Sequence, residues 1–326
     1  MPEMDLLEAV NTALARAMAD DERVVVLGED VGVDGGVFRA TAGLIDRFGA
    51  ERVLDTPLSE SVIAGLSVGL AAQDMRPVAE IQFMGFLYPA VDQLVNHASR
   101  LRNRTRGRLS CPMVLRAPYG GGIHAPEHHS ESTEAMLAHI PGLRVVIPSS
   151  PARAYGLLLA AIRDPDPVVF LEPKRIYHAV KEDVEDDGAP LPLDRCFVLR
   201  EGKDITLVTW GAMVLETMAA ANALGEEGVQ AEVIDVATLN PLDESTILAS
   251  VEKTGRCVIV HEAAYSGGLG GEIGSRLAER GLYSLLAPVA RVAGYDTVMP
   301  LPRLEHHYMP SEARILAAAH DCLEHA

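Results

Sequence analysis

The sequence predicts an α/β protein of two domains, each a mainly parallel sheet flanked by helices. Three observations carry that expectation. Short apolar runs suited to buried strands alternate with segments of helical period. The alternation stops once, in a charged, Gly/Pro-terminated stretch between Tyr177 and Arg200. And 326 residues, 48% of them hydrophobic, supply enough apolar side chain for two buried cores.

In the first half, Leu6, Leu7, Val10, Leu14, Ala17 and Met18 give Met4–Ala19 a helical period, and Arg23–Gly28 reads as a short buried strand. Strands follow at Arg52–Leu54, Arg76–Ile81, Met113–Arg116, Leu143–Ile147 and Pro167–Leu171. Helices are expected between them at Ser61–Ala72, Tyr88–Arg100, Ser132–His139 and Ala152–Ala161. Such interleaving implies a parallel sheet covered on both faces. The stretch from Lys181 to Pro190 has no apolar period and reads as a linker. Beyond it, strands Asp204–Trp210, Gln230–Asp235, Cys257–His261 and Val289–Val292 alternate with helices Ala212–Gly225, Asp243–Lys253, Gly270–Arg280 and Ser311–His325. Gly255 stands where a helix C-terminal cap belongs, and Pro300, Pro302 and Pro310 break the run before the last helix. The expected division is residues 1–180, a linker over 181–200, and a second domain over 201–326.

Composition narrows the function. With 46 acidic against 28 basic residues, the formal charge of −18 repels nucleic acid phosphates and anionic lipid surfaces. Solubility accounts for most of that charge, and a basic protein partner is the sharper reading. Cys111, Cys196, Cys257 and Cys322 share no short spacing with one another or with histidine, against a disulfide framework or structural zinc. No apolar run is long enough to span a bilayer, and the first residues resemble no signal segment, so a soluble, cytoplasmic protein is expected.

Three segments carry chemistry. Leu54-Asp55-Thr56-Pro57-Leu58-Ser59-Glu60 is a strand end and turn that delivers the Glu60 carboxylate to the start of a small-residue helix, among Leu54, Pro57, Leu58, Val62 and Ile63. Alone, such an acid is more often one favoured by the helix macrodipole. Glu80-Ile81-Gln82-Phe83-Met84-Gly85-Phe86 follows a strand, and its aromatics could be plain core. Tyr119 to Ser130 is glycine-rich but has neither dinucleotide nor Walker spacing, so a mobile catalytic loop suits it better than a phosphate cradle. It ends in His128-His129-Ser130-Glu131-Ser132. Three histidines in this loop could suggest metal, but no Glu or Cys ligand geometry supports zinc. A nicotinamide-binding Rossmann protein is disfavoured because no glycine fingerprint follows the Val24–Leu27 strand.

In this order and at these intervals the segments resemble the active-site elements of the β subunit of a thiamine-diphosphate-dependent 2-oxo acid dehydrogenase, with the decarboxylating component of branched-chain or pyruvate type. The resemblance covers nearly the whole chain, including Thr238–Asp243 and Lys253–Ala263 in the second half. It implies a pyrimidine-binding domain followed by a transketolase-type C-terminal domain. It also implies that Glu60 shares a proton with the aminopyrimidine ring, for which a carboxyl in an apolar site is suited. Phe86 would stack on that ring, and Gln82, Leu58, Ser59 and Glu29 would complete the cofactor contacts. His129 would move protons, with His128 as its neighbour, and Phe83, His128 and His129 would meet the substrate.

Two positions depart from the pattern. Glu131 stands where Gln is expected and adds negative charge near an anionic substrate. Ala237 stands where relatives carry Arg, implying a lost surface or interface contact. The turn Ala161, Ile162, Asp164 and Asp166 is the candidate potassium site that the resemblance implies.

A thiamine enzyme also needs a Gly-Asp-Gly motif and a later Asn for its magnesium ligands. Asp34-Gly35-Gly36 and Asp186-Asp187-Gly188 do not match it. The magnesium ligands are therefore expected from an α subunit, in an α2β2 assembly with a second β subunit. The acidic surface would meet the basic segment of a lipoyl acyltransferase. The expected reaction is decarboxylation of a branched-chain 2-oxo acid or pyruvate with acyl transfer to a lipoyl group. Phe170–Tyr177 resembles the branched-chain and broad bacterial branches more than the pyruvate-specific eukaryotic one. An acetoin dehydrogenase β subunit, or a non-catalytic subunit of the same fold, remains open at this stage.

Overall fold

The computed structural model describes residues 3–325, which divide into two compact units. The first comprises the described residues up to Tyr119 together with Met136–Leu193. The second comprises Gly120–Ala135 together with the described residues from Asp194 onward.

The first unit is built on parallel strands in the order Arg144–Val146, Val168–Pro173, Val114–Tyr119, Arg76–Glu80, Val24–Gly28, Val53–Asp55. Val24–Gly28 is buried at every position, as a strand covered on both faces must be. Its register aligns Gly28 with Asp55 on one side and with Glu80 on the other, so three strands end level. The chain moves from Val24–Gly28 outward to Val53–Asp55 and then crosses back to Arg76–Glu80. That reversal makes the carboxyl end of Val24–Gly28 a topological switch point, where open α/β sheets place ligands.

Helix Leu6–Asp20 starts on a reciprocal capping box, in which Asp5 accepts from the Glu8 N–H and Glu8 accepts from the Asp5 N–H, both at 2.9 Å. Its apolar stripe packs on helix Pro151–Arg163. Met4, expected inside that helix, instead pairs with Glu182 in a two-residue bridge, so the charged stretch after Lys181 is not wholly irregular.

The helix expected over Tyr88–Arg100 is broken into short pieces. Residues Val91–Asn96 are α-helical, and His97 leaves helical geometry at φ −122° and ψ −65°. Local side chains take over the backbone there: Ser99 Oγ donates to the Val95 carbonyl at 2.9 Å, and the Arg104 guanidinium donates to the Asn96 carbonyl.

The second unit has a five-stranded sheet in the order Ala290–Gly294, Cys257–Ala264, Ile205–Thr209, Ala231–Asp235, Phe197–Arg200. All pairs are parallel except the last, where the antiparallel edge strand Phe197–Arg200 lies within residues read from sequence as linker. Helices Val214–Glu226, Glu244–Thr254, Leu269–Arg280 and Glu312–Leu323 complete it. Gly255 caps the second of these at φ 72° and its N–H donates to the Val251 carbonyl. The proline-rich run is not only a break, because Pro302 opens a short helix over Pro302–Tyr308. Ala237, where the resemblance implies a lost surface or interface contact, is itself fully buried in this chain and occupies a left-handed bend at a φ of 51°.

Candidate functional site

The level strand ends of the first unit gather most of the residues singled out in the sequence. Glu29 follows Gly28, Ser59 and Glu60 follow the turn after Asp55, and Gln82 to Phe86 follow Glu80. The loop after Gly28 is pinned from the neighbouring strand: Asp55 accepts the backbone N–H of Gly32 at 2.6 Å and of Val33 at 3.2 Å. Gln82 Nε2 donates to Asp30 at 3.3 Å, tying the first and third of these loops together. Ser61 Oγ donates to the Pro89 carbonyl at 2.8 Å, which fixes the start of helix Glu60–Ala72 to the segment that carries the aromatics.

Glu29 is buried beside Glu60. Burial raises its carboxyl above the usual carboxylate range, the negative charges of Glu60 and Asp30 raise it further, and the Ser59 N–H opposes them. The apolar setting expected for Glu60 is only half present. Ile63 is fully buried, but Leu58 is 80% exposed and Val62 52% exposed, and Glu60 itself is half-buried. Pro57 and Leu58 cannot shield an acid when they face outward. Phe83 and Phe86 lie edge to face at 5.6 Å, both half-buried, with Phe38 packed on Phe83 at 5.3 Å and Lys174 Nζ 5.8 Å from its ring.

Thiamine diphosphate fits this set. Glu29 Oε1 is buried with no hydrogen-bond partner, and a second carboxylate stands beside it. A protonated aminopyrimidine supplies donors of the kind such a pair lacks. The half-exposed aromatic faces suit a flat ring.

Behind the site lies an ion-pair network that sequence reasoning missed. Arg116 reaches Glu172 twice, at 2.6 and 3.0 Å, and Glu80 at 2.9 Å, and Tyr177 Oη donates to Glu172 at 2.8 Å. All four side chains are buried. The signal was one charged residue at or just beyond the end of each expected buried strand: Glu80 in Arg76–Ile81, Arg116 closing Met113–Arg116, and Glu172 directly after Pro167–Leu171.

The histidine loop belongs to the second unit. The Gly120 N–H donates to the Glu131 carbonyl at 2.8 Å and closes its base. Glu127–His129 forms a single 3-10 turn in which the His129 N–H donates to the Pro126 carbonyl and the Ser130 N–H to the Glu127 carbonyl. His128 is exposed and His129 half-buried. Beneath the loop, Trp210 Nε1 donates to Glu134 at 3.2 Å, and Trp210 stacks on His261 with centroids 5.2 Å apart. Burial pushes the Glu134 carboxyl up to about 8, with Glu262 adding to the effect. Burial pushes His261 down to about 4, with Arg291 adding to it. Glu131 lies in the same surroundings, where its charge and those of Glu262 and Glu134 help hold the Tyr308 phenol up at about 12, after burial as the main cause.

The candidate potassium turn is engaged by arginines. Arg76 Nη1 donates to the carbonyls of Ile162 at 2.7 Å and Asp164 at 3.4 Å, Arg144 pairs with Asp164 at 3.1 Å, and Arg102 with Asp166 at 2.6 Å. The Ala161 carbonyl accepts the Asp164 N–H. Three guanidinium groups at one turn do not fit a further cation. Among the described residues no cluster of three or more His, Cys, Asp or Glu side chains is placed to hold a metal, and no helix is long and apolar enough to cross a membrane.

A parallel sheet that collects an acid pair and an aromatic pair at its switch point, followed by a second α/β unit, is the arrangement of a thiamine enzyme of transketolase type. The transketolase pyrimidine-binding domain family matches residues 2–179, and the transketolase C-terminal domain family matches residues 194–315. A split-gene transketolase, described as an inactive β4 tetramer, superposes with a TM-score of 0.82 at 24% identity over 99% of both chains, a likeness of fold. The chain is 50% identical to "Pyruvate dehydrogenase E1 component subunit beta" of Acholeplasma laidlawii over 317 residues, 97% of each chain. It is 46% identical to the protein of the same name from Bacillus subtilis over 324 residues, 99% of this chain and 100% of that one. The chain belongs to the β-subunit family of the thiamine-diphosphate-dependent 2-oxo acid dehydrogenases.

Proposed function

We propose that this chain is the β subunit of a pyruvate-decarboxylating component, works in the cytoplasm with an α subunit, and passes the acyl group to a lipoyl acyltransferase. The observation that carries this is the convergence of Glu29, Ser59, Glu60, Gln82 and Phe86 at three level strand ends, with the buried Glu29 facing Glu60. Pyruvate is favoured over a branched-chain acid by the shared name of near full-length relatives.

When bound, thiamine diphosphate would supply the nucleophilic carbon and the electron sink for decarboxylation. The part of this chain is to prepare and serve it. With the cofactor bound, Glu60 would share the proton of the aminopyrimidine ring nitrogen, and Glu29 beside it would accept a hydrogen bond from a further donor of that ring. Phe86 presents a face for the ring to stack on, while Gln82, Ser59 and Leu58 hold it from the sides. Phe83 and His128 would line the substrate, and His129 would donate and accept protons there.

An α subunit closing this site, in an α2β2 assembly, is supported by what this chain leaves open. Leu58, Val62 and Leu66 are exposed beside Glu60, an apolar strip out of place at a polar site in water. The magnesium ligands are assigned to that subunit. A second β subunit and the lipoyl acyltransferase complete the partners, with the −18 charge steering a basic partner segment.

The test is the decarboxylation rate of native and Glu60→Gln protein, each assembled with its α subunit, cofactor and magnesium, on pyruvate, 3-methyl-2-oxobutanoate and acetoin. We expect pyruvate to be preferred and the substitution to cost about 100-fold or more, as for a lost acid/base group. An unchanged rate in Glu60→Gln overturns the assignment, and a preference for acetoin moves the chain to the acetoin branch.

A further inference from the structure

The loop that carries His128 and His129 is held by a carboxylate far from it in sequence. Glu305, in the short helix Pro302–Tyr308, accepts the backbone N–H of Gly122 on Oε1 at 2.7 Å and of His124 on Oε2 at 3.1 Å. Only 3% of Glu305 is exposed, so its charge is spent almost wholly on the loop. The two N–H groups converge because Gly122 and His124 both adopt positive φ, 82° and 58°. Alternation of such angles turns successive N–H groups into an anion-binding concavity. For histidine this conformation is uncommon and costs energy, and the carboxylate offsets it. The His124 ring stays outside, mostly exposed, with Nε2 3.8 Å from Glu305. A side chain at Gly121 would meet the flexible tip of Met299 first, with Met309 Sδ at ordinary contact distance, so both methionines lie against this part of the loop.

We propose that Glu305 is a positioning residue: its carboxylate fills the concavity at Gly122 and His124 and thereby fixes the 3-10 turn that presents His128 and His129. The inference rests on the reading of that loop as catalytic. Glu305 touches no substrate; it sets the angle at which the loop leaves Gly120. Because the two N–H groups bond different oxygens of Glu305, Glu305→Gln sets one of them against an NH2 that cannot accept, and truncating the side chain leaves both without an acceptor.

The experiment compares native, Glu305→Gln, Glu305→Ala and His129→Ala chains, each full length and assembled with the α subunit. Amide hydrogen exchange is read over residues 120–131 and over strand Ile205–Thr209, and kcat and KM are read with pyruvate. We expect exchange in the loop to rise about ten-fold or more in Glu305→Ala and less in Glu305→Gln, as a lost charge-assisted backbone contact requires. Exchange in the strand should stay native. kcat should fall about ten-fold with KM within about two-fold, the pattern of a misplaced transition-state group. Native exchange in the loop of Glu305→Ala overturns the inference. Fast exchange with native kcat also overturns it, and the His129→Ala arm then separates two failures. If His129→Ala is inactive, Glu305 alone is wrongly assigned; if it is fully active, the catalytic reading of the loop fails with it.

Discussion

Arg116 and Glu172 face each other across adjacent parallel strands in a two-pronged ion pair, Nε to Oε1 at 2.6 Å and Nη2 to Oε2 at 3.0 Å, with neither side chain more than 1% exposed. The third contact of Arg116 is Glu80, whose Oε1 approaches the position a side chain would take at Gly36 in the loop after Gly28. The network therefore reaches both the strand that leads to Gln82 and the loop that begins at Glu29. Removing the arginine leaves two carboxylates buried without a counter-charge. Arg116→Met is expected to lower unfolding free energy by about 3–5 kcal/mol, the cost of breaking a buried pair from one side. Urea unfolding of the two chains measures it, and a loss under about 1 kcal/mol would mean that the carboxylates take up protons at little cost.

Phe86 tests the aromatic platform apart from the acid. If its face stacks on the cofactor, Phe86→Ala loses both the contact area and the stacking preference, together on the order of 1–2 kcal/mol, or about ten-fold in apparent affinity. Phe86→Tyr keeps the ring. Activity of the assembled enzyme titrated with thiamine diphosphate should show the Ala variant shifted by about that factor and the Tyr variant near native. Equal shifts in both would place Phe86 in the core with its neighbour Phe83.

Much of this architecture was legible in the residues because the signal was periodic. Val24 to Gly28 is apolar without interruption and is buried at each position, and the helix expected over Ser61–Ala72 runs from Glu60 to Ala72, one residue earlier at its start. What periodicity does not encode was lost. Helix Tyr88–Arg100 breaks at His97, where Ser99 and Arg104 bond backbone carbonyls of the same segment, a side-chain geometry that no spacing reveals. The strip Gly120–Ala135 lies between two elements of the first unit in sequence, yet groups with the second in contacts such as Gly122 with Glu305, separated by 183 positions. Glu60 was expected in an apolar pocket on the strength of neighbours in sequence, but Leu58 and Val62 beside it are exposed in this chain. Neighbours in sequence do not all share one side of a helix start.

Arg76 occupies the carbonyls of Ile162 and Asp164 that were candidates for potassium. A cation bound there at 100 times its dissociation constant would stabilise the fold by about 2.7 kcal/mol through mass action. The structure predicts no such gain: thermal midpoints in equal concentrations of potassium chloride and sodium chloride should agree within about 1 °C, since both salts screen alike. A midpoint several degrees higher in potassium would show that Arg76 yields these carbonyls to the ion. Arg76→Ala is expected to create the dependence, because it frees both oxygens.

Glu134 and His261 flank Trp210 and titrate with opposite consequences. Glu134 is raised from its ordinary 4.5 to about 8, so its contribution to stability is complete below 4.5 and is lost as pH rises through about 8. His261 is lowered from 6.5 to about 4, so its contribution is present above 6.5 and is lost as pH falls through about 4. Between 4.5 and 6.5 the two trends oppose each other. Between 6.5 and 8 His261 no longer changes, and Glu134 alone of the pair loses its proton, facing Glu262, Glu131 and Tyr308 as it does so. Glu134→Gln keeps an acceptor for Trp210 and removes the titration. The native chain is therefore expected to lose stability relative to Glu134→Gln as pH rises from 6.5 to 8, by about 2 kcal/mol at most for a fully buried carboxyl. Urea midpoints of both chains across this range measure the difference. Parallel pH profiles would show that Glu134 is already ionised at pH 6.5, with its charge met by a donor other than Trp210.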